Sequence, residues 1–128
     1  MSVPHNLTLA FTRNGETLSS PVTLMVTGEA GADVAVTAGA TAFAVAIAFT
    51  VANVQDIYIS SDQNITIHTN NSTTPIDTVP VTAGNPILWY SGSGQNCPFA
   101  HDVTHMYIAN AASVAANVKI RTGSNANV

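Results

Sequence analysis

Along much of the chain, hydrophobic and small or polar residues alternate one by one. The clearest case is residues 42–52, where alanine and threonine separate five large apolar side chains: Phe43, Val45, Ile47, Phe49 and Val51. A period of two places these side chains on one face of a β-strand, whereas a helix would distribute them around its axis. The segment therefore predicts a strand with one bulky face. Its other face is small enough for a neighbouring layer or subunit to approach closely.

The same alternation predicts about ten short strands. The first two include residues 7–11 and 22–26, and Asn14-Gly15 between them has the composition of a tight turn. The others are predicted around residues 34–37, 42–51, 57–59, 65–68, 78–81, 87–90, 105–109 and 118–121. No segment has helical periodicity. The pattern is typical of an all-β, single-domain β-sandwich, jelly-roll-like, with about 8–10 short antiparallel strands.

No linker or change of composition divides the sequence, so residues 1–128 are predicted to form one domain. A chain of this length can bury roughly two thirds of the surface that it exposes when unfolded. The two ends, residues 1–8 and 123–128, are polar or small. We expect them to be flexible or to become ordered by docking onto a partner.

The composition predicts a surface that is poor in charge. Charged residues make up 8% of the sequence and hydrophobic residues 46%, whereas about 25% of an ordinary soluble domain is charged. Serine, threonine and asparagine must therefore supply the surface polarity. Their hydroxyls and amides can re-pair across a contact, whereas a buried unpaired charge is costly. This composition favours a protein that stays in permanent contact with other protein.

The distribution of charge also excludes several classes of partner. Arg13, Lys119 and Arg121 are the only basic residues besides histidine, and the net charge is −4, so no basic patch for nucleic acid is predicted. No signal peptide is apparent at the N-terminus. The apolar run in residues 42–52 is about half as long as a membrane span. We expect a soluble protein that binds neither nucleic acid nor membrane.

One group of residues has the composition of a metal site. Cys97, His101 and Met106 are similar in order to the copper ligands in the C-terminal loop of blue copper proteins, which are also β-sandwiches. A glycine- and serine-rich segment precedes Cys97, however, where those proteins have an aromatic-rich strand. The alternative is that Cys97 packs as a small hydrophobic residue. We predict no cofactor, and these three residues remain weak candidates for metal binding.

Catalytic residues are not apparent in the sequence. His101 and Asp102 are adjacent, so their side chains point in opposite directions if the segment is extended. Asp56, Asp62 and Asp77 fall at strand starts or turns, where aspartate commonly accepts hydrogen bonds from nearby backbone amides. We predict that the protein is not an enzyme.

Aromatic residues suggest contact surfaces. Trp89 and Tyr90 could stack on sugars as in carbohydrate-binding jelly rolls, although a tryptophan flanked by isoleucine, leucine and tyrosine more often lies in a core or interface. The residues predicted to contact partners are Trp89, Tyr90, Phe99, Tyr58 and His5.

Six short stretches, distributed along the chain from Val26 to Arg121, show a family resemblance. They are residues 26–30 (VTGEA), 56–62 (DIYISSD), 75–78 (PIDT), 82–89 (TAGNPILW), 107–110 (YIAN) and 118–121 (VKIR). In content and order they resemble the cement or decoration proteins of tailed bacteriophage heads. The sequence departs from that family after the last predicted strand, where Thr122-Gly123-Ser124 stands in place of the frequent aspartate.

The resemblance implies a jelly-roll-like knob on the outer surface of the capsid that ties neighbouring subunits together. Its partners would be the major capsid protein and further copies of itself, in a trimer or alternatively a dimer. Such a protein is made in the host cytoplasm and resides on the virion.

Two other functions remain open. A receptor- or glycan-binding module of a virion fibre or tail would expose Trp89, Tyr90 and Tyr58 around a groove. A small cupredoxin-like protein would bind metal through Cys97, His101 and Met106.

Overall fold

A computed structural model of the protein describes residues 2–125. The regular secondary structure of this part of the chain is all β. Its ten strands are β1 (Val3–Arg13), β2 (Glu16–Val26), β3 (Gly28–Val36), β4 (Phe43–Val45), β5 (Val54–Ser61), β6 (Ile65–Thr69), β7 (Thr78–Val81), β8 (Ile87–Tyr90), β9 (Met106–Asn110) and β10 (Ala116–Ser124). None of the described residues belongs to a helix that could cross a membrane.

Strands β3 to β10 form a jelly roll. β3 pairs with β10, β4 with β9, β5 with β8 and β6 with β7, as the two halves of one long antiparallel ribbon would. Two further pairings, β10 with β5 and β9 with β6, roll this ribbon into two four-stranded sheets. Their strand orders are β3-β10-β5-β8 and β4-β9-β6-β7. This double sheet is the jelly-roll arrangement, which confirms the predicted fold class.

The two sheets enclose one hydrophobic core. Alternate side chains of the central strands point into it, as at Ile59 in β5 and Ile120 in β10, both fully buried. β-Branched residues dominate this core because they suit the pleated surface of a strand. The loop between β8 and β9 contributes Phe99, whose ring meets that of Phe49 edge to face with centroids 5.5 Å apart.

The segment with the clearest alternation forms a shorter strand than predicted. Regular pairing is confined to Phe43–Val45, because the amide of Ile47 donates to the carbonyl of Val45 and this tight turn interrupts the ladder. Ile47 and Phe49 still point into the core, and Phe49 forms an isolated bridge with Val103. The alternation therefore predicted which side chains are buried, but not the length of the strand.

β1 and β2 form a separate hairpin that precedes the jelly roll. Every residue of β1 is paired with one of β2. Asn14 and Gly15 form the turn with φ of 48° and 82°, and a two-residue type I′ turn requires positive φ at both positions. The hairpin is thus a continuous two-stranded ribbon.

The structure places part of each end that was predicted to be flexible or to dock in a strand. Val3–Arg13 is β1, so residues 3–8 are paired in the hairpin. Gly123 and Ser124 pair with β3 at the end of β10. Residues 1 and 126–128 lie outside the described part of the chain.

Candidate interaction surface

One face of the hairpin is largely apolar along its length. It includes Val3, Leu7, Leu9 and Phe11 of β1 and Leu18, Val22, Leu24 and Val26 of β2. Successive side chains of a strand point to opposite sides, and the opposite face is mostly polar, including Asn6, Thr8, Thr12, Thr17 and Thr23. The hairpin is therefore amphipathic, as a strand pair lying on a hydrophobic surface would be.

The jelly roll covers only the base of this apolar face. Near the base its side chains are buried or half-buried, but every residue from 8 to 21 is exposed. The exposed fractions of Leu9, Phe11 and Leu18 are 37%, 59% and 57%. An isolated two-stranded hairpin is only marginally stable in water. Residues 8–21 are the arm. The arm has an apolar face that no other part of residues 2–125 covers.

His5 fixes the base of the hairpin to the outer face of the sheet β3-β10-β5-β8. Its Nδ1 lies 2.6 Å from Oδ2 of Asp56 and its Nε2 lies 2.8 Å from Oε2 of Glu29. Strand register places Glu29 and Asp56 on either side of Gly123. A Cβ atom on Gly123 would lie 2.7 Å from Cε1 of His5. Glycine therefore leaves the space in which the ring spans the two carboxylates.

The two carboxylates favour the protonated form of His5. Burial by itself lowers the pKa of His5, but the hydrogen bonds and negative charges of Glu29 and Asp56 outweigh it and raise that pKa above 6.5. Both ring nitrogens can donate only when the imidazole is protonated. The charged ring thus holds both carboxylates at once.

We expect the attachment of the hairpin to weaken as the pH rises. Because the folded-state pKa of His5 is raised, its contribution to stability is complete below the ordinary value near 6.5 and is lost as the pH rises through the folded-state pKa. The difference in melting temperature between wild type and His5→Gln should therefore shrink from mildly acidic to alkaline pH. A difference that is constant over that range, or a His5 ring that titrates by NMR below its ordinary pKa, would contradict this.

Beside His5, β1 and the sheet enclose a groove of about 750 Å³. Its wall is formed by residues 4–8 of β1. Its floor is a row of neighbouring residues on four adjacent strands: Gly31, Arg121, Tyr58 and Leu88. Tyr58 and Leu88 are 36% and 44% exposed. Arg121 Nη1 lies 2.9 Å from Asp33 Oδ1. The floor is therefore apolar at Tyr58 and Leu88 and carries a paired charge on β10, and the lining also includes the His5–Asp56–Glu29 cluster.

Comparisons with known proteins found no matching family model, no matching curated protein and no matching solved structure. A jelly roll carries many unrelated functions, so the fold alone does not select one. The features of this molecule that bear on function are on its surface, above all the arm and the groove.

Of the residues predicted to contact partners, His5 and Tyr58 lie at this surface. Tyr58 is in the floor of the groove, and His5 holds the hairpin above it. Phe99 is fully buried against Phe49. Its role is to fill the core, because an apolar side chain in an irregular loop can turn inward as readily as one in a strand.

Trp89 and Tyr90 occupy intermediate positions. Both are half-buried. Trp89 packs against the core, and its Nε1 donates to the backbone oxygen of Gln95 at 3.0 Å. Tyr90 lies on the outer face of the sheet, opposite Asp56. The two aromatic rings therefore point to opposite sides of β8.

The three candidate metal ligands have separate structural roles. Met106 is fully buried in the core, and Nδ1 of His101 lies 3.1 Å from Oδ1 of Asp77. Cys97 is half-buried against the core, and burial raises the pKa of its thiol, which disfavours the thiolate that metals bind. Within residues 2–125, no group of three or more histidine, cysteine or acidic side chains could hold a metal ion.

Proposed function

We propose that the protein is a virion structural protein, a capsid cement or decoration protein that acts as an oligomer on the outer surface of a phage head. It would stabilise contacts between major capsid subunits. The observation that carries this proposal is the arm, whose apolar face extends past the surface that the jelly roll covers. Exposed apolar surface of this kind marks a site of contact with other protein. A trimer is the first expectation from the family resemblance, and a dimer is the alternative.

The charges of the arm suit it to burial. Its two charged residues, Arg13 and Glu16, have opposite sign and face each other across the turn. A partner that covers the arm therefore meets one positive and one negative charge and no excess of either sign, which limits the cost of burying ionised groups. The remaining polar groups are mostly hydroxyls, which can find new hydrogen-bond partners in a contact.

The energetics of such a contact fit a cement protein. Each Å² of apolar surface removed from water contributes about 25 cal/mol. A head carries many copies of its decoration protein, so modest contacts that must be lost together add up through avidity. A shell under outward pressure from its DNA would then open at a higher temperature.

The proposal is tested by returning the purified protein to heads stripped of it and heating them. Wild type should raise the temperature at which the heads release DNA. Phe11→Ser/Leu18→Ser should bind the heads at least about tenfold more weakly, because burying each of these side chains contributes about 1.5–3 kcal/mol. Thr12→Ala/Thr17→Ala, a cross-strand pair on the opposite face of the same arm, should behave as wild type. Wild-type protein that neither binds nor protects the heads would contradict the proposal.

A second candidate function is a receptor- or glycan-binding module, favoured by the exposure of Tyr58 in the floor of the groove beside Asn6 and Arg121. Aromatic faces at polar groove walls suit sugar stacking. Oligosaccharide binding that is lost in Tyr58→Ala, together with no binding to heads, would favour this function over the first.

A further inference from the structure

The apolar face of the hairpin continues outward beyond the sheet that covers its base, and an open groove lies beside that base. We propose that the arm of one copy lies in the groove of a second copy, with Phe11 and Leu18 packed against Tyr58 and Leu88. This rests on the proposed function, since it names the partner that covers the arm within the oligomer. It assigns the subunit contact to two defined surfaces.

The first support is continuity with a contact that the molecule already makes. The base of the hairpin lies against the outer face of the sheet, where Leu7 and His5 line the groove together with Tyr58. The surface of the groove therefore already accepts an aliphatic side chain from this face of β1. Leu9 and Phe11 follow Leu7 on the same face. The arm thus offers the same kind of surface to a second groove.

The arm does not reach the groove of its own chain. Phe11 is four residues beyond Leu7 on a strand that stays paired with β2 throughout. At about 3.4 Å per residue, this places it roughly 14 Å farther along the hairpin. Folding back would break the cross-strand hydrogen bonds of the ribbon. A groove on another molecule can receive the arm with its pairing intact.

The two surfaces match in polarity. Phe11 and Leu18 face each other across the hairpin, as Tyr58 and Leu88 do across the sheet, so an apolar pair meets an apolar pair. Arg121 in the groove is already paired with Asp33. The two acidic side chains that line the groove, Glu29 and Asp56, both bond His5. The groove therefore brings no unpaired charge into the contact, which would be the costly outcome in an interface.

The size of the contact is sufficient for a stable two-fold dimer. The arm contributes fourteen consecutive exposed residues, and a standard protein interface uses about 20–30 residues on each side. In a two-fold dimer each copy presents both its arm and its groove to the same partner, so arm and groove residues together reach that size. If every arm lies in the groove of another copy, the assembly closes into a dimer or a ring.

Light scattering during size-exclusion chromatography tests the proposal without capsids. Wild type should have two or three times the monomer mass of 13.2 kDa. Phe11→Ser/Leu18→Ser should fall to the monomer mass, and Thr12→Ala/Thr17→Ala should not. A wild-type monomer at high micromolar concentration, or an unchanged mass for the serine variant, would overturn the proposal.

Cross-linking tests whether position 11 of one copy lies beside position 88 of another. In a Cys97→Ser background, Phe11→Cys protein is mixed with tagged Leu88→Cys protein and treated with a short bis-maleimide. The mixed dimer should form in good yield. Val114→Cys, exposed in the loop between β9 and β10, replaces Leu88→Cys as the control and should give little product. Equal yields from both pairs would overturn the assignment of the groove.

The arm exchange and the capsid role can be distinguished by experiment. A monomer that still binds and protects heads overturns the arm exchange and leaves the proposed function standing. An oligomer that depends on Phe11 but ignores heads supports the exchange and contradicts the capsid role.

Discussion

Gly123→Val is expected to detach the base of the hairpin from the jelly roll. A Cβ atom at this position would lie 2.7 Å from Cε1 of His5 and 2.8 Å from Oδ1 of Asp56, and valine adds two methyl groups to it. Gly123 has no positive φ, so the requirement is for space alone. His5 would lose its hydrogen bonds to Asp56 and Glu29, at a cost of at least about 2 kcal/mol in the free energy of unfolding.

Urea unfolding and limited proteolysis measure this effect. The variant should unfold at lower urea and should be cut within residues 3–26 while the jelly roll stays intact. Gly28→Ala is the matched control, because a Cβ there would meet its nearest neighbour, the backbone oxygen of Ser124, at an ordinary 3.8 Å. A Gly123→Val protein as stable and as protease-resistant as the control would show that His5 does not hold the hairpin.

Asn110→Leu is expected to destabilise the jelly roll itself by about 3–4 kcal/mol. Asn110 is fully buried at the end of β9, where its Nδ2 donates to the backbone oxygens of Val36 and Val114 at 3.1 and 2.9 Å. Its Oδ1 accepts from the amide of Ala112. Leucine has a similar size but would leave these backbone groups unsatisfied, at about 1–3 kcal/mol each.

The urea midpoint again provides the measurement. Asn96→Leu, in the exposed part of the loop between β8 and β9, is the control and should change the free energy of unfolding by less than about 0.5 kcal/mol. If Asn110→Leu unfolded at the urea concentration of wild type, the connection between β9 and the ends of β3 and β10 would not depend on this side chain.

The strands were predictable because sheet geometry imposes a period of two on the sequence. Segments such as residues 65–68 and 118–121 alternate so regularly that the sequence alone shows which side chains are buried. The sequence predicted the fold class, a jelly-roll-like sandwich, but not the order of the strands in each sheet. Which strands become neighbours depends on how the ribbon rolls, and local pattern does not encode that.

The core contribution of the loop between β8 and β9 was not predictable. Phe99 belongs to an irregular segment with no periodicity, so its direction is set by the space beside Phe49. The role of Gly123 was also not predictable. Nothing near it in the sequence indicates that a histidine from the other end of the chain lies over it.

The arm shows a different limit. Leu9 and Phe11 have the alternation of a core-facing strand, and the sequence predicted a strand there, whereas Leu18 lies before the second predicted strand. An apolar strand face that packs within its own chain has the same sequence pattern as one that packs on another molecule. Only the structure shows that coverage ends near Leu7.

Hydrogen exchange at the arm amides shows whether another protein covers the apolar face of the arm. It is measured in protein diluted until it is monomeric and in protein assembled on heads, with the amides of β10 as the internal reference. Residues 8–21 should exchange at least about tenfold more slowly in the assembled protein, while β10 stays protected in both. Equal exchange of the arm in the two states would contradict it.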